Sequence, residues 1–231
     1  MTARCDDSAP PFGTLIFDCD STLSAIEGID ELAARLGDAR KQEIAALTSR
    51  AMAGELALES VYGKRLELVR PDRAAVEALG RSYVAEVLPN ARELVAALQA
   101  LGKRVCIVSG GLRQAVFALA EHLGVRDDDV FAVDVFHDRS GAYAGYDEDS
   151  SLARSGGKLG IVRALAKADH KGGVALIGDG VTDLEAASAA RRFVAFGGVV
   201  RREEVFVRAA VTCASRDFAA LMPLLLAADE I

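Results

Sequence analysis

The chain has 231 residues, 51% of them hydrophobic and 26% charged, and 27 Lys and Arg against 34 Asp and Glu leave a net charge of −7. This length suits one domain, or one domain carrying an insertion, and the acidic balance without a basic stripe excludes tracking a nucleic-acid backbone. No apolar run reaches the ~18 residues that a membrane span needs, and Leu221–Leu226 is interrupted by Pro223.

Residues 1–13 are polar and hold Asp6, Asp7, Pro10 and Pro11; they lack the charged start and apolar stretch of a secretion signal and read as a loose tail. Thr14-Leu-Ile-Phe17 is a short apolar run ending in acids, as a buried parallel strand is. From Ile26 to about Val87 only helical periodicity follows: Ile29, Leu32, Ala33 and Leu36; Ile44 and Leu47; Leu58, Val61 and Tyr62; Val76, Leu79 and Tyr83. Some four short helices are too many for one crossover. They read as a small helical-bundle cap, residues 25–87, inserted into a core made of residues 14–24 and 88–231.

Beyond the cap, strands and helices alternate. Leu94, Leu98 and Leu101 share a helix face that Gly102 closes, and Leu112, Val116, Leu119 and Leu123 share another that Gly124 closes, with Arg104–Val108 as the strand between them. Val130–His137 and Ala142–Tyr146, joined through Ser140-Gly141, read as an appended β-hairpin. Strands are expected at Val174–Ile177, Phe193–Phe196 and Val211–Cys213, and helices at Leu159–Ala168, Val181–Ala190 and Asp217–Ala227. The pattern predicts an α/β fold with a Rossmann-like parallel sheet covered on both faces. Cys5, Cys19, Cys106 and Cys213 are scattered, and two lie in strand-like runs, so they read as reduced thiols in a cytoplasmic protein.

In open α/β sheets, ligands bind beyond the carboxyl ends of the strands. The first strand is followed by Asp18-Cys-Asp20-Ser-Thr22, the second by Ser109-Gly-Gly111 and the third by Gly178-Asp179-Gly-Val-Thr182-Asp183. Lys158 follows Ser155-Gly-Gly157 and opens the helix before the third strand. Singly, each has an ordinary structural reading: an aspartate capping a helix, a tight glycine turn, a surface lysine. Four such groups, at strand ends and in this order, point instead to shared chemistry.

With these residues the chain resembles the haloacid-dehalogenase phosphatases, whose four ordered motifs are an aspartate pair, a Ser or Thr, a Lys and a terminal acidic pair. The resemblance implies Asp18 as nucleophile, forming an aspartyl phosphate, and Asp20 as the acid that protonates the leaving alkoxide and then activates water. It implies Mg²⁺ held by Asp18, Asp179, Asp183 and the Asp20 backbone carbonyl. Ser109, Gly110, Gly111 and Thr182 are then expected around the phosphate, and Lys158 is expected to neutralise the nucleophile and the phosphoryl group.

Longer stretches resemble the phosphoserine phosphatases within that superfamily: Glu27-Gly-Ile-Asp-Glu-Leu32, Arg50-Ala-Met52, Lys64-Arg65-Leu66, Tyr143-Ala-Gly-Tyr-Asp147, Ser155-Gly-Gly-Lys158 and Phe196-Gly-Gly198. This likeness implies phosphoserine as the small phosphomonoester substrate, with Glu27 binding its ammonium, Arg65 its carboxylate, Met52 lining the pocket and Arg202 near the cap opening. Without the resemblance, Glu27 and Arg65 read as exposed helix residues. The chain departs from the pattern at Ala53, where several relatives have glycine, and at Val199, where asparagine is usual; both bear on substrate range.

Transfer of phosphate to another alcohol such as homoserine, or use of a different phosphomonoester, remains open on these residues. A phospho-acceptor module without turnover needs neither cap nor Lys158. A nucleotide site is disfavoured, because no Gly-x-Gly-x-x-Gly follows the first strand and Gly156-Gly-Lys158 runs into Leu159. His122, His137 and His170 lie outside every motif. A homodimer is compatible with the reading, and no membrane or nucleic-acid partner is expected.

Overall fold

A computed structural model describes residues 11–52 and 55–230. Three large apolar side chains in a row leave Thr14–Phe17 (β1) no face for water, and all four residues are buried at the centre of a six-stranded parallel sheet. The chain continues through β2 (Arg104–Leu112), β3 (Val130–Val133), β4 (Val135–His137) and β5 (Tyr143–Tyr146). It ends with β6 (Val174–Gly178), β7 (Arg192–Phe196) and β8 (Val211–Cys213). The strand order is β3-β2-β1-β6-β7-β8. Connections run outward from β1 in one direction and from β6 in the other. The crevice at the carboxyl ends of β1 and β6 is therefore a topological switch point.

Between β1 and β2 lie α1 (Gly28–Ala34), α2 (Asp38–Met52), α3 (Leu58–Val69), α4 (Arg73–Ala85) and α5 (Ala91–Ala100). The chain leaves and re-enters the core through a neck of two paired segments. Ser24 and Val87 form an antiparallel bridge, the Ala25 amide donates to the Glu86 carbonyl (2.9 Å), and the Leu88 amide donates to the Leu23 carbonyl (3.0 Å). The remaining helices are α6 (Arg113–Leu123), α7 (Gly157–Ala168), α8 (Val181–Ala186), α9 (Glu203–Arg208) and α10 (Met222–Leu225). Helix α4 lies close on α6: a Cβ added at Gly80 would stand 2.8 Å from the Ala118 methyl.

Several boundaries differ from the sequence expectation. The Val130–His137 run divides at Asp134. Its first half joins the parallel sheet beside β2, and only its second half pairs with β5 as a hairpin. Alternation alone does not distinguish one bent strand from two short ones that serve different sheets. Strand β2 continues to Leu112, so Ser109-Gly-Gly111 lies within it, in the irregular stretch between the Val108–Phe131 and Leu112–Val133 pairings, and α6 opens only at Arg113. The expected helix Val181–Ala190 closes at Ala186 and tightens into a 3₁₀ turn, Ala187–Ala189. The expected helix Asp217–Ala227 is a 3₁₀ turn, Phe218–Leu221, running into α10, where Pro223 fits the first turn. Helix α9 is six residues long, too short to show a period in the sequence.

Residues 1–10 of the expected tail lie outside the described residues. Phe12 is wholly buried, with the Arg191 and Arg192 guanidinium groups each 5.3 Å from its ring centre. Among the described residues, no helix is long and apolar enough to cross a membrane.

Candidate active site

The turn after β1 brings two carboxylates to one cavity. Asp20 keeps an extended backbone and Ser21 takes a left-handed φ of 51°, a sterically costly conformation for a residue with a side chain. Both Asp18 and Asp20 line the cavity that results. Asp18 Oδ1 accepts the Cys19 amide (2.8 Å) and pairs with Lys158 Nζ (2.8 Å). That lysine, one residue into α7, also donates to Asp183 Oδ1 at 2.7 Å. Burial alone would lower the Lys158 pKa, but the flanking Asp18 and Asp183 carboxylates raise it above the ordinary lysine value. It is a permanent cation lying between two carboxyl groups.

Asp20 is held differently. The Tyr83 hydroxyl (2.6 Å) and the Gly28 amide (2.7 Å) both donate to Oδ1. A Cβ at Gly28 would fall 2.1 Å from the Tyr83 hydroxyl oxygen, so only glycine lets both donors reach the same atom. Burial, with Asp18 beside it, pushes the Asp20 carboxyl up to about 7 against the downward pull of these two donors. Since Oδ1 already accepts twice, the proton belongs on Oδ2, which faces Gly111. Two aspartates two residues apart therefore differ in setting: Asp18 is paired with a lysine, and Asp20 is a carboxyl group able to hold a proton near neutrality.

After β6, the Thr22 hydroxyl donates to Asp179 Oδ1 (3.1 Å), while Asp183 Oδ2 accepts the Gly180 amide (3.1 Å) at the start of α8. Oxygens of Asp18, Asp179 and Asp183 all lie within 4.8 Å of one another, and all three residues are buried. Burial raises Asp179 to about 7 and Asp183 to about 8, with the nearby carboxylates adding to it and Arg202 or Lys158 opposing it. Around the cavity, Asp18, Asp20, Glu27, Asp30, Asp179 and Asp183 face three largely buried cations, Lys158, Arg65 and Arg202. A hard divalent cation among the three clustered carboxylates fits both the excess charge and the all-oxygen donor set.

Arg202, at the start of α9, spans the cavity edge: Nε donates to Asp179 Oδ2 and Nη2 to Glu27 Oε1, both at 3.0 Å. Glu27 Oε1 also accepts the Ser21 hydroxyl (2.8 Å), so every hydrogen bond to this carboxylate falls on one oxygen. Burial, with Asp20 nearby, pushes Glu27 up to about 8 despite Arg202. Arg65, on α3, is 4% exposed; Nη1 donates to the Thr48 hydroxyl (2.8 Å), and among the described residues Nε has no hydrogen-bond partner.

The expected residues thus gather around one crevice, with distinctions. Gly110, Gly111 and Thr182 line the cavity. Ser109 is wholly buried behind that wall, and its Oγ accepts the Gly111 amide (2.9 Å). Met52 ends α2; its side chain and Ala53 lie outside the described residues. Sequence reasoning passed over Tyr83 and Tyr62. Both fall on apolar helix faces, and periodicity carries no information about a hydroxyl at the tip. Yet Tyr83 holds Asp20, and the Tyr62 hydroxyl donates to the Gly110 carbonyl (2.7 Å), joining α3 to the Ser109-Gly-Gly111 segment of β2. Thr22 was legible in the strand-end motif, and Arg154, which lines the cavity mouth, was not.

Comparison with known proteins agrees with this layout. The chain is 39% identical over 189 residues to a phosphoserine phosphatase of Mus musculus, covering 82% of this chain and 83% of the relative. Among solved structures, it is similar to a phosphoserine phosphohydrolase-like protein of Francisella tularensis (TM-score 0.82, 26% identity, 91% of this chain and 100% of the other). It is also similar to a phospho-aspartyl intermediate analogue of phosphoserine phosphatase (TM-score 0.77, 25% identity, 94% of this chain and 100% of the other). The family description haloacid dehalogenase-like hydrolase matches residues 15–188, the stretch that holds Asp18, Asp20, Lys158, Asp179 and Asp183, and the chain belongs to that family.

Proposed function

We propose that the chain hydrolyses O-phospho-L-serine to L-serine and phosphate, with Asp18 as the nucleophile. One observation carries this reading: a Lys158-paired aspartate cluster opens onto the same cavity as a carboxylate (Glu27) and a guanidinium (Arg65). Phosphoserine carries the matching groups, a phosphate, an ammonium and a carboxylate. The likeness to phosphoserine phosphatases over most of the chain supports the same substrate.

Asp18 attacks phosphorus, forming an acyl phosphate as the bond to the serine oxygen breaks. Asp20 gives its proton to that oxygen, and its protonation near neutrality supports this role. As a carboxylate it then takes a proton from the water that attacks phosphorus, releasing phosphate and restoring Asp18. Lys158 offsets the charge of nucleophile and phosphoryl group without losing its proton. Gly110, Gly111 and Thr182 supply cavity wall and donors for the phosphate oxygens. Mg²⁺ held by Asp18, Asp179 and Asp183 would supply the electrostatic stabilisation that lets an anion approach a phosphate dianion.

Residues 25–87 are taken to act as a cap over a core of residues 14–24 and 88–231. The paired neck at Ser24 and Val87 supports this division. Buried free thiols at Cys19, Cys106 and Cys213 support a reducing, cytoplasmic setting. The reading is tested with a panel of small phosphomonoesters and Mg²⁺, followed by phosphate release. Phosphoserine should give the highest kcat/KM; preference for an ester lacking either charged group would overturn it.

A further inference from the structure

Arg65 is an unusual buried arginine, because no carboxylate among the described residues lies within ion-pair distance of it. Its hydrogen bond runs to a neutral hydroxyl, Thr48 Oγ1, at 2.8 Å. Thr48 is 3% exposed and in turn stands 2.5 Å from Asp30 Oδ1 and 3.1 Å from the Ile44 carbonyl. A hydroxyl has one proton, and the shorter contact takes it. The resulting chain runs in one direction: Arg65 N–H to Thr48 oxygen, then Thr48 O–H to the Asp30 carboxylate. Three helices contribute to it, α3, α2 and α1 in turn. Asp30 and Arg65 both line the cavity, and Arg65 Nε is buried without a hydrogen-bond partner among the described residues.

We infer that Thr48 is a positioning residue that keeps Arg65 available to a substrate carboxylate. The inference rests on the substrate reading above. An arginine beside an aspartate ordinarily closes a bidentate pair, which occupies the edge of the guanidinium best shaped for a carboxylate. Here one hydroxyl stands between the two charges and takes a single Nη1 hydrogen. Asp30 still orients the guanidinium through that hydroxyl, with the polarisation of a directed hydrogen-bond chain. Nε stays open to a ligand. The Tyr62 ring, 5.7 Å from the Arg65 guanidinium carbon, backs the group on another side. Without the hydroxyl, Arg65 loses its anchor, and the ligand carboxylate competes with Asp30 for the same fork.

The test compares wild type, Thr48→Val and Thr48→Ser on phosphoserine and on O-phosphoethanolamine, which is phosphoserine without its carboxylate. Thr48→Val keeps the shape and removes the hydroxyl. It should raise KM for phosphoserine about tenfold to a hundredfold, with kcat changed much less. The loss in kcat/KM on phosphoethanolamine should be smaller by about tenfold or more. Thr48→Ser keeps the hydroxyl and should restore most of the phosphoserine KM. Equal losses on both substrates, or a serine variant as impaired as the valine one, would overturn the inference in favour of methyl packing. A wild type that uses both substrates equally well would overturn the phosphoserine reading and this role with it. A wild type that prefers phosphoserine, beside a valine variant that does so equally, would overturn the role of Thr48 alone.

Discussion

The two walls of the cavity solve the same electrostatic problem in opposite ways. On the core side, each buried charge already has a partner: Lys158 lies between Asp18 and Asp183, and Arg202 holds Asp179. On the cap side, Arg65 reaches a carboxylate only through a threonine and keeps an Nε unpartnered among the described residues, and Glu27, though paired with Arg202, receives its hydrogen bonds on one oxygen. Leaving a buried donor unmade costs stability. A fold tolerates this where a ligand completes the set. On the proposed reading, the core serves chemistry common to any phosphate ester, and the cap wall one particular shape of charge.

If that contrast holds, core changes should reduce turnover of every ester alike, whereas cap changes should separate the esters. The largest effect is expected for Asp18→Asn, whose amide is neither an adequate nucleophile nor an anionic ligand. Phosphate release from phosphoserine and from an aryl phosphate should fall together by more than about 10⁴-fold, with the circular dichroism spectrum unchanged. Near-native turnover would rule out a covalent path through Asp18.

Chelation should act on the same side of the comparison. Treatment with EDTA should abolish release from both esters, and Mg²⁺ should restore it. Ca²⁺ should not, since its larger, looser coordination shell could engage both Asp18 oxygens and remove the attacking one. Full activity in Ca²⁺ alone would contradict the assignment of Asp18, Asp179 and Asp183.

Cap changes come next in size. Glu27→Gln and Arg65→Ala each remove one charge-assisted contact and should lower kcat/KM for phosphoserine roughly 30-fold to several-thousand-fold. A small aryl phosphate, which presents neither an ammonium nor a carboxylate, should lose far less. Equal losses would mean that the two residues hold the cap together, and the contrast between the walls would then be one of stability.

The smallest effect is expected where the walls meet. Helix α3 has no side-chain cap from its own N-cap residue, Ala57. Its Leu58 amide donates instead to Ser155 Oγ (3.0 Å), and the Ser155 amide donates to Glu59 Oε2 (2.9 Å). This reciprocal arrangement resembles a capping box made between distant segments. Ser155→Ala should cost about 1 kcal/mol, visible as a lowered melting temperature. Any kinetic cost should fall on phosphoserine before the aryl ester, because α3 carries Arg65.

Sequence alone determined the parts of this protein whose signal is local. Three apolar residues in a row followed by Asp18-Cys-Asp20 specify a buried strand with acids at its carboxyl end, because a parallel strand has no solvated face. The long 3.6-residue period from Ile26 to Val87 specifies helices where a crossover is due. The motif residues at successive strand ends had to converge, since parallel strands put those ends on one side of the sheet. What only the tertiary structure decided is how polar tips are partnered across long separations. Tyr83 reaches Asp20 over 63 positions and Arg202 reaches Glu27 over 175. Thr48 stands between Asp30 and Arg65, although neither Thr48 nor Asp30 reads in sequence as more than an ordinary helix residue. Likewise, Val130–Val133 joined the sheet because β2 offered it a free edge, which no alternation of side chains records. Periodicity reports which face of an element is buried; which buried atom meets which is set by the distance between elements, and that exists only in the folded chain.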